Sequence, residues 1–597
     1  KWSDETYAVL KKRSSSIQGH LGRFFSTLTN DNIIDELSQL DFEYSEDFWT
    51  LFSFYSLHNR ISCDTIHSLL KRNTRYLSSL LKHKHIVEAY SELLTEVLMS
   101  SESNAEILIS EYLAKHDLEN RSSLCFPKEF DFSKRESLIN RYIQSPEANA
   151  NYIKLIYEAR DSNNLPLQTK TKLAAQKQYD LHIKTLFPTE SSYGLKFSFE
   201  ISIDPDCEDA VKEFDYANGQ LKAVYGLKWI ENNLDFPTLW NNFIYMFNFV
   251  DWRFRCQFVS NPTRQSLLES LIGPKGKSTY FLGTNEQFFS SMYSLMLLSY
   301  SHILQLRNIP FESLIVWFFN DYLHEEFHAD GFIFNPPSSG TTDLEKCKIL
   351  ATEIDSLLKQ FDFYTREGSL DRELFEINSD SLIIRNIGSL VPSKYFYPAS
   401  AECNSSMNCL FSDQSPLPYT EKYKAQYRTF FDLLRNRNIT KSDVYAHNIP
   451  QIDFLIQKKC IEVDANSVLR LCKEKIVVLR DLYNNQYCCT NYLSFCEKEI
   501  NELALAGDIR FSTCFLSEPE QDYFSYVLTK SDYSNGLDLR NKYVHGNYSR
   551  DPAQHGKDYL ELLKILVIIV IKINEEFCLR DELSKALTPK NDTSEVH

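Results

Sequence analysis

The chain has 597 residues and a formal net charge of −17, and hydrophobic residues make up 43% of it and aromatic residues 14%. A chain of this length exceeds what one hydrophobic core supports, so we expect two to four domains. The composition excludes a disordered protein. The acidic balance excludes a protein that coats nucleic acid non-specifically, because phosphate binding needs a field of Lys and Arg.

The cysteine pattern and the apolar segments bear on the compartment. Fourteen cysteines occur at irregular spacings without a C-x-x-C pair, which favours free thiols in a reducing cytoplasm over a disulfide framework or a zinc ribbon. The first residues lack the pattern of a signal peptide, and the longest apolar run, Leu562 to Ile573, is short and contains Lys564. We therefore predict a cytoplasmic protein without a membrane span.

Helical periodicity dominates the first part of the chain and then gives way to alternation. Apolar residues recur at helical spacing through residues 1–185, which predicts an N-terminal helical domain. Leu195 to Ile203 then alternate strictly between apolar and polar residues, as in a half-buried strand. Asn218-Gly219 marks a turn before a second predicted strand, Leu221 to Trp229.

The strands open a predicted middle domain of mixed α/β structure, residues 186–415. Within it, Asp235 is a typical helix N-cap because Phe236-Pro237 follows it, and either Thr342 or Asp343 can cap a later helix. The segment after Leu390 has few helical repeats and many Pro and Ser residues, so we place a boundary near residue 415. Residues 416–597 are predicted to be helical, and the fold class is mainly α, a multidomain helical protein with a small β insertion.

A glycine- and lysine-rich segment, Gly273 to Ser278, invites comparison with phosphate-binding loops. A P-loop needs four residues between its first Gly and the Gly-Lys-Ser, and only two are present here. The preceding residues also look helical, whereas a P-loop follows a strand. We therefore predict a basic loop rather than a nucleotide-hydrolysing site.

A second motif, His324-Glu325-Glu326-Phe327-His328, matches the H-E-x-x-H pattern of zinc hydrolases. In those enzymes two His residues four apart on a helix bind zinc, and the Glu activates a water molecule. Glu326 and the early helix break at Asp330-Gly331 argue against it, and a third ligand would have to come from Glu345 or Glu353. A metal site at His324, His328 and Glu353 is kept as the weaker alternative.

The strongest chemical pattern lies near the C-terminus, where residues 537–547 read L-D-L-R-N-K-Y-V-H-G-N. Residues four apart share a helix face, so Asn541 and His545 would project together with Arg540 beside them. Gly546 is predicted to end this helix, and Asp551-Pro552 to begin a long apolar one.

The pattern Arg540-Asn541-x-x-x-His545 resembles the signature of the HEPN superfamily of nucleotide- and RNA-directed domains. That signature is an Arg, usually followed by a polar residue, with a His four to six residues further on. The resemblance implies a HEPN-like helical bundle and a metal-independent endoribonuclease without cofactors. HEPN sites are typically composite, which implies a homodimer or higher homo-oligomer. HEPN ribonucleases often belong to bacterial toxin and antiviral defence systems, which would add an antitoxin or a phage-derived trigger as partner.

The chemistry of RNA cleavage fits these residue types. A ribose 2′-hydroxyl must lose a proton to attack the adjacent phosphate, and a His can take or supply it. Arg540 would stabilise charge on the phosphate oxygens, and Asn541 would orient the phosphate or the imidazole. Candidate substrate contacts follow in the same stretch: Lys542, Tyr543, Asn547 and Arg550.

Two further interpretations of the motif remain open. In the first, a non-catalytic HEPN module binds RNA, a nucleotide or a protein through the same residues. In the second, Arg540 and His545 cap and brace neighbouring helices, as polar residues near helix ends often do.

Overall fold

The computed structural model describes residues 4–41, 44–115, 123–186, 198–217, 220–261, 275–338, 340–377 and 382–587. Its contacts divide the chain into two compact units, residues 1–193 with 271–279 and residues 194–270 with 280–597. The prediction of a mainly helical protein is confirmed, since 61% of it is helical and 8% is in strands. All fourteen cysteines are free thiols.

The first unit is helical and has its own apolar core. Side-chain caps begin several of its helices, as where Ser62 accepts a hydrogen bond from the Thr65 N–H. The core includes fully buried Trp49 and Phe52. Its helices are α1 Asp4–Thr27, α2 Ile33–Ser38, α3 Ser45–Phe54, α4 Cys63–Arg72, α5 Tyr76–Leu80, α6 Lys84–Ala89, α7 Ser91–Ser100, α8 Ala105–Leu113, α9 Phe132–Gln144, α10 Ala150–Tyr157 and α11 Thr169–Leu186.

The predicted basic loop falls within this first unit. Its first two residues, Gly273 and Pro274, lie outside the described residues. The Lys277 N–H donates to the Leu113 carbonyl at 2.8 Å, and its Nζ donates to the Glu111 carbonyl at 2.7 Å. The described end of this segment therefore pairs antiparallel with the residues that follow α8.

The second unit begins with a three-stranded sheet. Its strands are β1 Ser198–Asp204, β2 Val211–Ala217 and β3 Gln220–Gly226, in the order β1-β3-β2. β3 pairs in parallel with β1 and antiparallel with β2. The predicted residues 194–197 and the Asn218-Gly219 turn lie outside the described residues.

One strand was missed, and one predicted strand was too long. β2 was not predicted, because charged Lys212, Glu213 and Asp215 surround the exposed Phe214 and hide the alternation typical of a strand. The strand predicted over Leu221 to Trp229 ends at Gly226, and a helix begins at Leu227. A Cβ at Gly226 would lie 2.1 Å from the Asp209 carbonyl oxygen, so this close approach requires glycine.

The remaining elements of the second unit are mostly helical. The α-helices before residue 390 are α12 Leu227–Asn232, α13 Phe236–Tyr245, α14 Thr284–Leu306, α15 Phe311–Val316, α16 Leu323–Phe327, α17 Asp343–Glu367 and α18 Arg372–Ile377. After it come α19 Ala401–Phe411, α20 Phe430–Asn436, α21 Ile449–Gln457, α22 Lys473–Asn485, α23 Glu497–Leu505, α24 Glu518–Leu528, α25 Leu539–His545 and α26 Pro552–Leu587. Short strands lie between these helices: β4 Tyr395–Pro398, β5 Ile461–Val463, β6 Leu469–Leu471, β7 Cys488–Cys489 and β8 Ile509–Ser512. The predicted cap Asp235 is confirmed at the start of α13, and of the two candidates for α17 the cap is Thr342, with a capping box.

Two large apolar cores and a small cluster, formed by Tyr395, Tyr397, Tyr487 and Cys489, lie within the described part of the second unit. The larger, called here the main core, draws its buried residues from 221–387 and 515–577. The smaller, called here the inserted core, draws them from 396–509. The motif helix α25 packs on α17 and α24, and the long helix α26 packs on α17, α14 and α24.

The helices around the motif therefore differ from those expected. The resemblance implied a helical bundle within residues 416–597. The helices between residues 423 and 506 instead form the inserted core, and the motif helix contacts α17, α24 and α26. Helical periodicity indicates that a helix has a buried face but not which partner covers it. The domain boundaries predicted at 185 and 415 stay predictions.

Helix α26 combines an apolar surface with buried charges. Lys572 Nζ lies 2.9 Å from Glu520 Oε1, and Lys394 Nζ lies 2.6 Å from Glu576 Oε1, with all four side chains at most 1% exposed. The charged residues interrupt the apolar run. Among the helices of the described residues, none has both the length and the hydropathy that a bilayer span requires.

Candidate functional site

The motif helix α25 is short and has a well-defined backbone at both ends. Asp538 precedes it in the left-handed region at φ 58°, which Asp tolerates better than most residues. Gly546 ends it at φ 80°, so the predicted helix stop is confirmed. Arg540, Asn541 and His545 therefore all lie on one short helix of seven residues.

A buried hydrogen-bond network, called here the tyrosine brace, joins α25 to α26. The Tyr543 hydroxyl lies 2.8 Å from His555 Nδ1 and donates to Asp558 Oδ2 at 2.8 Å. Because the single hydroxyl proton goes to the carboxylate, His555 Nδ1 must carry the proton it shares with Tyr543. Gln554 Nε2 donates to the other oxygen of Asp558 at 2.7 Å.

Burial makes this network stiff. Tyr543 is 3% exposed, and His555 and Asp558 are each 6% exposed. Burial, reinforced by the hydrogen bond to Asp558, raises the pKa of the Tyr543 hydroxyl well above its usual value, so it remains a donor at neutral pH. The Tyr548 ring stacks on Tyr543 with centroids 5.6 Å apart.

The brace changes the role of one predicted substrate contact. Tyr543 was predicted to touch substrate, but its ring is buried and its hydroxyl is committed to α26. Leu539, four residues earlier, is also fully buried. An apolar pair at this spacing is a signal for an inward helix face, and it could have placed Tyr543 correctly.

Arg540 and Asn541 are held by carboxylates. Arg540 Nη2 lies 2.9 Å from Asp355 Oδ1 on α17, an ion pair without hydrogen-bond alignment. Asn541 Nδ2 donates to Asp538 Oδ1 at 2.7 Å. Arg540 is 35% exposed, and because this ion pair is not aligned as a hydrogen bond, its guanidinium keeps its N–H donors for a ligand.

Both residues line a cleft of about 550 Å³, called here the motif cleft. Its floor is aliphatic and includes Ile354, Leu358 and Leu528. Its cations are Arg385, Lys530 and Arg540, against the carboxylates of Asp355 and Asp532. Ser525, Thr529 and Ser531 add hydroxyl groups. Such a mixture suits a ligand with an apolar body and an anionic group.

His545 stands apart from this cleft. It is exposed, as are Asn547 and Arg550, whereas Lys542 is half-buried. Residues five apart on a helix are separated by about 140° around its axis, so Arg540 and His545 face different directions. The structure thus brings Arg540 and Asn541 to the motif cleft and leaves His545, Asn547 and Arg550 on the outer surface.

The alternative metal residues do not converge. Helix α16 ends at Phe327, and His328 follows it at φ 52°. His324 Nδ1 pairs with Asp330, and Glu353 Oε2 accepts the Asn335 N–H at 2.9 Å. Within the described ranges, no group of three or more His, Cys, Asp or Glu side chains could hold a metal ion.

Comparison with known proteins finds no matching family model, no matching curated protein and no matching solved structure. Sequence reasoning missed Asp355 and Arg385, which lie far from the motif along the chain and carry no local signal for it.

Proposed function

We propose that this protein is a metal-independent endoribonuclease of the HEPN type, whose site is built on α25. The observation that carries the proposal is the motif cleft, where Arg540 and Asn541 lie beside Lys530 and beside Arg385, which is itself paired with Asp522 and Asp532. A phosphodiester needs such local positive charge in a chain whose net charge is −17.

Arg540 would bind the scissile phosphate with the N–H donors that Asp355 does not use. Charge-assisted hydrogen bonds of this kind stabilise the negative charge that develops on the phosphate oxygens. His545 would take the proton of the attacking 2′-hydroxyl or supply one to the departing 5′-oxygen. The reaction is confined to RNA, because DNA lacks the 2′-hydroxyl nucleophile.

A second surface is required for a complete site. One His cannot serve as base and acid on opposite sides of the phosphorus, and His545 and Arg540 face different directions on α25. The exposure of His545, Asn547 and Arg550 leaves this end of α25 accessible to another copy. We therefore propose a homodimer or higher homo-oligomer in which His545 of one copy acts beside Arg540 of the other. By analogy with HEPN ribonucleases, we also propose a toxin or antiviral role, with an antitoxin or phage-derived trigger as partner.

The test is cleavage of single-stranded RNA by purified full-length protein and its variants. Arg540→Ala and His545→Ala are each expected to slow cleavage by roughly 10²–10⁴-fold, the usual contribution of a proton-transfer or oxyanion-stabilising group. Arg435→Ala and His302→Ala serve as matched controls, because both side chains are exposed and lie away from the motif cleft. Full activity in Arg540→Ala or His545→Ala would overturn the proposal.

A second candidate is a binding module that does not cut. It is favoured by the carboxylate partners of Arg540 and Asn541 and by the position of His545 outside the motif cleft. In this case, RNA or a nucleotide would bind with a dependence on Arg540 but would remain intact in the same assay.

A further inference from the structure

A second cavity of the same unit, of about 840 Å³, is separate from α25. It lies between α19, the C-terminal end of α22, β8 and the start of α24. Carboxamide side chains are unusually frequent in its lining: Asn404, Asn408, Asn484, Asn485 and Gln486. We call it the carboxamide groove.

Several of these carboxamides have unused hydrogen-bonding capacity. Asn404 and Asn408 are exposed on α19, and neither side chain has a hydrogen-bond partner among the described residues. Gln486 is exposed and ends α22 in the left-handed region at φ 64°. Asn485 donates its Nδ2 to Asp481 Oδ1 at 3.0 Å, which fixes the amide and leaves its oxygen as an acceptor.

The charges of the groove are paired. Arg510 Nη2 lies 2.8 and 2.9 Å from the two carboxylate oxygens of Glu518, and its guanidinium covers the Tyr397 ring at 4.5 Å. Asp522 accepts from Arg385 Nη2 at 2.5 Å. A ligand of this groove therefore meets neutral donors and acceptors beside charges that are already paired.

From these features we propose that the carboxamide groove binds an extended peptide segment through its main chain. A carboxamide presents one acceptor and two donors, which match the N–H and C=O groups of a peptide unit. Side chains four apart on a helix are about 5–6 Å apart at Cβ. An extended chain repeats its outward-facing peptide groups about every 6.6–6.8 Å. Asn404 and Asn408 can thus bind successive groups on one edge of such a segment, while the end of α22 meets the other edge.

The same features disfavour nucleic acid. An RNA strand would bring a phosphate charge with each nucleotide, and the one arginine in the groove is held by Glu518. Recognition through the main chain depends weakly on the side chains of the ligand. The partner is thus a flexible, uncharged stretch of polypeptide with extended structure.

The experiment selects peptides from a random 12-residue display library on the full-length protein. Enriched peptides are synthesised with a fluorescent label and titrated by anisotropy against wild type, the Asn404→Ala/Asn408→Ala double variant and Ser405→Ala. Ser405 is the matched control, because it is exposed on α19 but does not line the groove. Both substituted asparagines are exposed, and a thermal melt verifies that the double variant is folded.

We expect the peptides to bind at least tenfold more weakly to the double variant and to bind Ser405→Ala as they bind wild type. Methylation of alternate backbone nitrogens of the peptide should abolish binding. Failure to enrich any peptide, or equal binding to wild type and the double variant, would overturn it. Single-stranded 12-nucleotide RNA and maltohexaose are titrated in parallel. Binding of either one that is lost in the double variant would assign the groove to that class instead.

Discussion

Substitution Tyr543→Phe removes one hydroxyl from the tyrosine brace and leaves its apolar packing in place. The hydroxyl makes two buried contacts of 2.8 Å, to His555 Nδ1 and to Asp558 Oδ2. Without it, the imidazole N–H loses its acceptor, and one carboxylate oxygen loses its donor. Leaving a buried polar group unsatisfied costs about 1–3 kcal/mol, so we expect local opening of α25 to become easier by about 2 kcal/mol.

Hydrogen exchange followed by mass spectrometry measures this directly. A change of about 2 kcal/mol in local opening corresponds to roughly 30-fold faster exchange, because each 1.4 kcal/mol is a factor of ten. The effect should be confined to amides between 539 and 547. Amides of residues 562–573, at the centre of α26, should exchange as in wild type, because their side chains are buried in the main core.

Tyr548→Phe is the matched control for this substitution. Its ring stacks on Tyr543, but its hydroxyl has no hydrogen-bond partner among the residues that the structure describes. Exchange in residues 539–547 should therefore stay within a factor of two to three of wild type, a shift of only about 0.5 kcal/mol. Equal exchange in Tyr543→Phe and Tyr548→Phe would refute the assignment of Tyr543 as the brace of α25.

Two other substitutions test the charges around the site. Asp355→Asn removes the ion pair with Arg540 and one negative charge from the motif cleft. RNA should therefore bind more tightly at low salt, while cleavage slows by up to about tenfold because the guanidinium loses its orientation. Filter binding and cleavage rates that both match wild type would contradict this role for Asp355. Glu520→Gln leaves Lys572 buried with a weakened partner and should cost about 3–5 kcal/mol in denaturant unfolding of the second unit. Burial alone would raise the pKa of Glu520, but the charge and hydrogen bond of Lys572 outweigh it and lower that pKa. The Glu520 carboxylate thus stabilises the fold at pH values above its unfolded pKa, and this contribution is lost as pH falls through its folded pKa. The difference in unfolding free energy between wild type and Glu520→Gln should therefore shrink on acidification. A difference that grows would contradict the lowered pKa.

Local signals predicted the local features of this protein well. Gly546 ends α25 and Pro552 begins α26, as predicted. Asp235 and Thr342 are the N-caps of α13 and α17. These residues act on the backbone within one or two turns, so their effect can be read from the neighbouring sequence.

Features that depend on distant segments were missed. Asp355 and Arg385 reach the motif only because α17 packs on α25 and because residues 382–384 line the same cleft. The inserted core also escaped prediction, since hydrophobic periodicity does not say which helices share a core. Strand β2 was missed because its own sequence is charged and shows no strand pattern. It forms because it pairs with the more buried strand β3.

Whether α25 carries an RNA-cleaving site is decided most directly by the products of a defined oligonucleotide. A single-stranded RNA is incubated with the full-length protein in EDTA, beside the same strand with 2′-deoxy sugars, and the ends are identified by mass spectrometry. We predict RNA fragments that end in a 2′,3′-cyclic phosphate or 3′-phosphate, no cleavage of the 2′-deoxy strand, and loss of the products in His545→Ala. Cleavage of both strands, or RNA cleavage that persists unchanged in His545→Ala, would contradict the assignment.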